Sequence, residues 1–383
     1  TLAREFRLSS RQLRRAFQQE FGVSPVELAQ TQRLLLAKQL LTESGLSMIE
    51  IAFASGFESV RRFNASFRDH YRLTPSRMRR SIGSGRGDDS VQLTLAYRPP
   101  LAWGALIGFL AKRATAGIES VSHGAYSRTV SIGCHRGWVR VERARGRNAL
   151  SVAVATSLTP ALPELLSRLK NLFDLGARPD VIEGHLVVDP RLARIVERSP
   201  GLRVPGAFDG FELAIRAILG QRIAVRAATT LAGRLAERFG EPVETPSPEL
   251  NRLCPTPERI IEALPAELTA LGIAPAQVAA IQAVARAINT REINLEAGAD
   301  PDLVIAQLRE LPGIGDWTAH YVAMRALRWP DAFPTADLGL LKAWGTSSPR
   351  SLNSAAKAWQ PWRAYAAMYL WESSNLATQE TLT

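Results

Sequence analysis

The chain has 383 residues, 46% of them hydrophobic, and carries 47 Lys and Arg against 36 Asp and Glu, a net charge of +11. That length exceeds one ordinary core and suits two to four domains, and the charge favours a polyanion such as nucleic acid as partner. Even the long uncharged stretch from Leu268 to Ala285 is interrupted by Thr, Gly, Pro and Gln, so no membrane span is expected; the two cysteines, Cys134 and Cys254, are too far apart for a zinc or iron–sulfur site and fit a reducing cytoplasm. No charged-then-apolar leader opens the chain, and the missing start methionine suggests a fragment of something longer.

In chain order, residues 1–80 repeat one pattern twice: a short apolar helix, a tight break, then a helix with basic and polar residues on one face. The first copy is Leu2 to Phe6 followed by Ser9 to Phe17; the second is Ile49 to Gly56 followed by Ser59 to Phe67. In each second helix an apolar pair four apart, Leu13/Phe17 and Phe63/Phe67, faces a core. Arg11, Gln12, Arg14 and Arg15, and likewise Arg61, Arg62 and Asn64, are left outward, where such a helix can enter a major groove. Residues 1–90 hold fifteen Lys and Arg against nine acids, so the positive charge is concentrated beside these two helices. Ser81 to Ser90, SIGSGRGDDS, reads as a linker. Between 91 and 180, alternating stretches such as Val91–Tyr97 and Thr129–Cys134 mix with helical ones such as Leu162–Leu175, which predicts a small α+β layer. From about 205 nearly everything reads as helix punctuated by Pro and Gly.

The most informative stretch is LPGIG at 311–315, followed by Asp316 to Arg325. Gly313 and Gly315, in a turn that opens a helix, allow the backbone and its free amides to approach a phosphate, although a proline–glycine turn can also be purely structural. Downstream, PTAD at 334–337 places Asp337 at the start of an apolar helical run. It is either a plain N-cap, worth about 1 kcal/mol, or a carboxylate that meets the positive charge developing on a sugar as its glycosidic bond breaks. Six of the eight tryptophans lie at or after Trp317. Trp317 and Tyr321 share a helix face, and Trp359 and Trp362 flank Pro361. Aromatics at such spacing serve a core, or an electron-rich pocket for a flipped, cationic base.

Residues 1–80, notably IAFASGFESVRRFNASFRDHYRLTPSRMRR, closely resemble the AraC-type double helix-turn-helix, which implies transcription control. The hairpin, PTAD, GALIGFLA at 104–111, FELAIRAILGQ at 211–221 and WQPWRAY at 359–365 resemble the helix-hairpin-helix DNA glycosylases, closest to the AlkA-type 3-methyladenine glycosylases. The whole resembles the Ada–AlkA fusions of the bacterial adaptive response to alkylation. The expected fold class is thus multidomain and mainly α: an AraC-type domain (1–80), a linker (81–90), an α+β layer resembling half of a TATA-binding protein (91–185), an all-α helix-hairpin-helix domain (186–375) and a tail (376–383).

The resemblance implies Asp337 as the catalytic carboxylate and Trp317, Tyr321 and Trp362 as the base pocket. It implies DNA contacts from Gln221, Arg222, Gly313, Gly315 and Thr318. Arg222 stands where a leucine wedge is familiar, either stacking in the duplex gap or holding a phosphate. The carbonyls of Arg309, Leu311 and Ile314 would surround a hairpin-bound metal ion, and no cofactor is otherwise required. The lysine of bifunctional glycosylase/lyases is replaced by Trp317, so the activity implied is monofunctional excision of alkylated purines from double-stranded DNA. Promoter DNA is the partner implied for the helix-turn-helix part, with no membrane partner and a monomeric state. The rival reading is a transcription regulator whose glycosylase-like part only senses damaged DNA.

Overall fold

The structure is a computed structural model that describes residues 8–79 and 90–380. The short helix expected at Leu2–Phe6, the linker up to 89 and the last three residues lie outside the described residues. Contacts divide the chain into two compact units, 1–93 with 153–164, and 94–152 with 165–383.

In the first unit, serines start the helices. Ser9 caps Ser10–Phe21 in a reciprocal box: its Oγ accepts from the Gln12 amide (3.2 Å) and its own amide donates to Gln12 Oε1 (2.9 Å). Ser24 with Glu27 and Ser47 with Glu50 repeat the box on Pro25–Glu43 and Met48–Ala54, and Ser59 caps Val60–Tyr71. The core is an aromatic ladder, Phe57–Phe63 (5.4 Å), Phe63–Phe67 (5.6 Å) and Phe67–Tyr71 (4.6 Å between ring centres), with Leu34, Ala37, Leu40 and Leu41 of the long helix also buried. The pair Phe63/Phe67 therefore lies inward as its spacing predicts, while Arg61, Arg62 and Asn64 are exposed, as are Arg11, Gln12, Arg14 and Arg15.

The sheet has five strands in the order β1-β5-β4-β3-β2, where β1 is Ser90–Ala96, β2 Glu119–Ser122, β3 Ala125–Ile132, β4 His135–Arg143 and β5 Ala149–Ala155. β3 pairs antiparallel with β2 and with β4, Thr129 facing Trp138. In the second unit a helical core runs from Ala177 to Leu370, and the helix Trp103–Ala111 packs Ala105 and Phe109 against it.

Three buried charges, Glu119, Arg128 and Glu212, and the partly buried Arg216 join the sheet to this helical core. Arg128 of β3 pairs with Glu212 of the helix Gly210–Leu219 at 2.7 Å. Arg216 of the same helix pairs with Glu119 of β2 at 2.7 Å and with Glu212 at 3.3 Å. Glu119 also accepts from the Tyr126 hydroxyl (2.6 Å) and the Thr115 amide (3.2 Å). Every member of this network has an oppositely charged partner, the condition under which buried charge is tolerated.

Candidate active site

Pro334–Asp337 forms a tight turn, closed by a bond from the Asp337 amide to the Pro334 carbonyl (2.9 Å), that delivers Asp337 to the N-cap of Leu338–Trp344. Its Oδ1 accepts from the Leu340 amide (2.9 Å), the capping bond read from the sequence. Two further donors converge on the same carboxylate: the indole N–H of Trp317 on Oδ2 (2.8 Å) and that of Trp371 on Oδ1 (2.9 Å). All three donors are neutral, and among the described residues no Lys or Arg pairs with Asp337. The carboxylate is thus fixed in direction while its charge is left for something else. Gly339 makes room for this: a Cβ there would stand 3.0 Å from Asp337 Oδ1 and 3.3 Å from the Trp371 ring.

Aromatic rings line the approach to Asp337. Trp317 and Tyr321, both on the helix Asp316–Arg325, are stacked with ring centres 5.1 Å apart and 12° between planes. Trp371 stands edge-on to Tyr321 (6.4 Å), and Phe109 lies 6.5 Å from Trp371. Trp362, expected among these residues, instead stands edge-on to Tyr365 (5.9 Å). The structure brings Trp317 and Tyr321 together with Asp337 and puts Trp371 where Trp362 was expected. Trp362 precedes the helix Arg363–Glu380, and nine residues at about 1.5 Å each separate it from Trp371 along that axis by about 13 Å.

Beneath Tyr321 lies a guanidinium whose hydrogen bonds all go to neutral groups. Arg325, 3% exposed, donates to the Pro205 and Gly206 carbonyls (2.7 and 2.9 Å) and to the Tyr321 hydroxyl (2.9 Å). Burial by itself pushes the Tyr321 phenol up, but the guanidinium of Arg325, then those of Arg113 and Arg216, outweigh it and bring the phenol down to about 8. Burial pushes Tyr126, Tyr365 and Tyr369 up instead. In an ultraviolet titration the wild type is therefore expected to show about one phenolate forming near pH 8 that Tyr321→Phe lacks; identical curves below pH 9 would contradict this.

The hairpin follows the helix Pro301–Glu310. Gly313 has φ +76°, which only glycine adopts without strain, whereas at Gly315, the N-cap of Asp316–Arg325, a side chain would meet nothing within 4 Å. The bareness of Gly315 thus answers no internal packing need and leaves the first-turn amides open to an approaching ligand. Gln221 lies against this turn, its side-chain amide donating to the Gly313 carbonyl (2.9 Å) and to Thr318 Oγ1 (2.8 Å). Thr318 is accordingly buried, a brace rather than a surface donor. Arg222, next to Gln221, is exposed with φ +60°. Arg309 pairs through its side chain with Asp316, and its carbonyl belongs to the last helical turn, where carbonyls lack intrahelical partners; the Leu311 carbonyl accepts from the Ile314 amide (3.3 Å). Among the described residues no group of three or more His, Cys, Asp or Glu could hold a metal, so the donors expected at the hairpin are main-chain carbonyls.

Of the residues expected on the reader helices, Gln12 is engaged in the capping box and Arg62 pairs with Glu58 at 3.1 Å, both partners exposed. Trp371, Phe109, Arg325 and Gly339 were not identified from the sequence as site residues. Phe109 and Arg113 lie in or beside GALIGFLA, whose role in the site becomes visible only when that helix is packed.

A helix-hairpin-helix beside a single capped carboxylate walled by aromatic rings is the architecture of a base-excision DNA repair protein. Comparison with known families agrees: residues 215–362 match the HhH-GPD superfamily base excision DNA repair proteins, 92–209 the AlkA N-terminal domain, and 2–81 a helix-turn-helix domain. The chain is 35% identical over 379 residues to a Mycobacterium tuberculosis protein named "Probable bifunctional transcriptional activator/DNA repair enzyme AlkA", covering 97% of this chain and 75% of that one. It is 34% identical over 288 residues to DNA-3-methyladenine glycosylase 2 of Escherichia coli K12, covering 75% of this chain and 99% of that one. Its fold resembles that of a 3-methyladenine DNA-glycosylase from Archaeoglobus fulgidus, with a TM-score of 0.65 and 21% identity over 74% of this chain and 98% of that one. The chain belongs to the AlkA-type family of DNA glycosylases and carries an AraC-type helix-turn-helix domain ahead of the glycosylase fold.

Proposed function

We propose that the chain excises alkylated purines of the 3-methyladenine type from double-stranded DNA as a monofunctional glycosylase. The observation that carries this is the geometry at Asp337, one carboxylate aimed by two indoles and a backbone amide and left, among the described residues, without a cationic partner. A flipped base would stack against Trp317 and Tyr321 beside Trp371, and a base made cationic by N-alkylation gains from their π faces. The C–N glycosidic bond breaks with its electron pair leaving on the base. Asp337 holds negative charge against the sugar cation, and water adds to the anomeric carbon, its released proton passing to solvent. An N-alkylated base is already a good leaving group, so no general acid is needed and no cofactor enters the reaction.

Trp317 occupies the place of a lyase lysine and offers no amine, so borohydride is expected to trap no covalent DNA adduct during turnover while free methylated purine accumulates. A trapped adduct would overturn the monofunctional reading. On the DNA side, the first-turn amides after Gly315 grip a phosphate, and the loop carrying Gln221 and Arg222 enters the gap left by the flipped nucleotide. The carbonyls of Arg309, Leu311 and Ile314 are hard neutral donors that suit a hard cation, which would supply a fixed positive charge beneath that phosphate.

The exposed face of Val60–Tyr71 reads promoter DNA in this proposal. Arg61→Ala is expected to weaken binding to a cognate promoter fragment by about 1–3 kcal/mol while leaving base excision unchanged. Unaltered affinity in a footprinting titration would remove Arg61 from the reading face.

A further inference from the structure

The turn between β4 and β5 is used neither by the glycosylase site nor by the reader helices. Residues 135–148 hold five arginines and one acid, Glu142. Glu142 is taken by Arg140 at 3.2 Å, and Arg136 bonds the Gly133 carbonyl (2.6 Å) and reaches Glu241 (3.5 Å). Arg143, Arg145 and Arg147 are all exposed and have no ion pair with a described residue. Together with Asn148 they line one open recess of about 450 Å³.

The loop that presents them is held at both ends. The Ala144 amide donates to the Ala149 carbonyl (3.0 Å), Gly146 turns the chain at φ +68°, and the Asn148 carbonyl accepts from the Tyr97 amide (3.0 Å). Three guanidinium groups within five residues repel one another, and among the described residues no carboxylate pairs with them. This contrasts with Arg128, Arg216, Arg328 and Arg363, each paired with a carboxylate. Planar guanidinium forks at alternate positions suit phosphate oxygens, which they can bond in pairs.

We propose that the β4–β5 turn is a separate contact for the phosphate backbone of DNA, indifferent to sequence and to damage, through Arg143, Arg145 and Arg147. It adds to the affinity of the chain for undamaged duplex and takes no part in chemistry.

The test replaces all three arginines with glutamine in the full chain and measures binding to an undamaged duplex oligonucleotide as salt is raised from about 50 to 200 mM. Each neutralised phosphate contributes about 0.9 to the slope of log affinity against log salt, so the slope should become shallower by about 2–3. A triple lysine variant, which keeps the charge, should retain the wild-type slope, and single-turnover excision at saturating DNA should be the same in all three proteins. An unchanged slope in the glutamine variant overturns the proposal, as does a lysine variant that loses the slope equally. Because the readout is binding to intact DNA, it also works in an Asp337→Asn background and is independent of the glycosylase assignment.

Discussion

Asp337→Asn is expected to lower release of methylated purines from alkylated duplex DNA by at least about 10²–10³-fold, the range seen when one preorganised electrostatic partner of a transition state is removed. Asparagine caps helices as well as aspartate does, so the bond from the Leu340 amide and the start of Leu338–Trp344 persist. What changes is charge, together with one acceptor: with the cap kept on the oxygen that also serves Trp371, the amide nitrogen must face the indole N–H of Trp317. Binding to an abasic-site analogue should therefore stay near wild type while excision stops. Undiminished release would sink the role given to Asp337 and favour a chain that only senses damage.

The second large effect is expected on stability. Arg216→Met removes the cation shared by Glu119 and Glu212, and breaking such a buried network costs about 3–5 kcal/mol in denaturant unfolding near pH 7. The loss should depend on acid in a defined sense. Burial pushes the Glu119 carboxyl up, but Arg216 and then Arg128 outweigh it and hold it below its usual value. A depressed carboxyl stabilises the fold above its unfolded pKa, about 4.3, and that contribution fades as pH falls through the folded value. In the variant the larger of these two cationic partners is gone, so the gap between the two proteins should narrow below about pH 4. A gap constant from pH 7 to pH 3 would show that the network does not act through charge.

Local signals made part of the site legible. The i, i+4 spacing of Trp317 and Tyr321 placed them on one helix face, and the stack at 5.1 Å bears that out. The alternatives for Asp337, helix cap or catalytic carboxylate, turn out to be compatible: one oxygen accepts both the cap and an indole, and the other a second indole. The Ser-x-x-Gln pattern at 9–12 is itself a capping signature, and it assigns Gln12 to the helix start rather than to a free reading face.

The remaining site residues depend on how distant elements pack. Arg363–Glu380 is nearly uniform in its apolar pattern, so nothing in its periodicity says which tryptophan turns toward Asp337. Phe109 reaches the site only because the helix Trp103–Ala111 packs on the helical core. The buried charges that join β2 and β3 to Gly210–Leu219 were equally invisible, since Glu119, Arg128, Glu212 and Arg216 span almost a hundred residues and look like ordinary surface charges when read in a line.

Gln221 fastens its loop to the hairpin through both the Gly313 carbonyl and the Thr318 hydroxyl, and the helix that begins there carries Trp317 and Tyr321. The part proposed to fill the opened duplex and the part proposed to receive the base are therefore tied to each other by these two hydrogen bonds. In that proposal an intact base that resists leaving the stack never reaches Trp317 and Tyr321, and the stack itself makes the first selection.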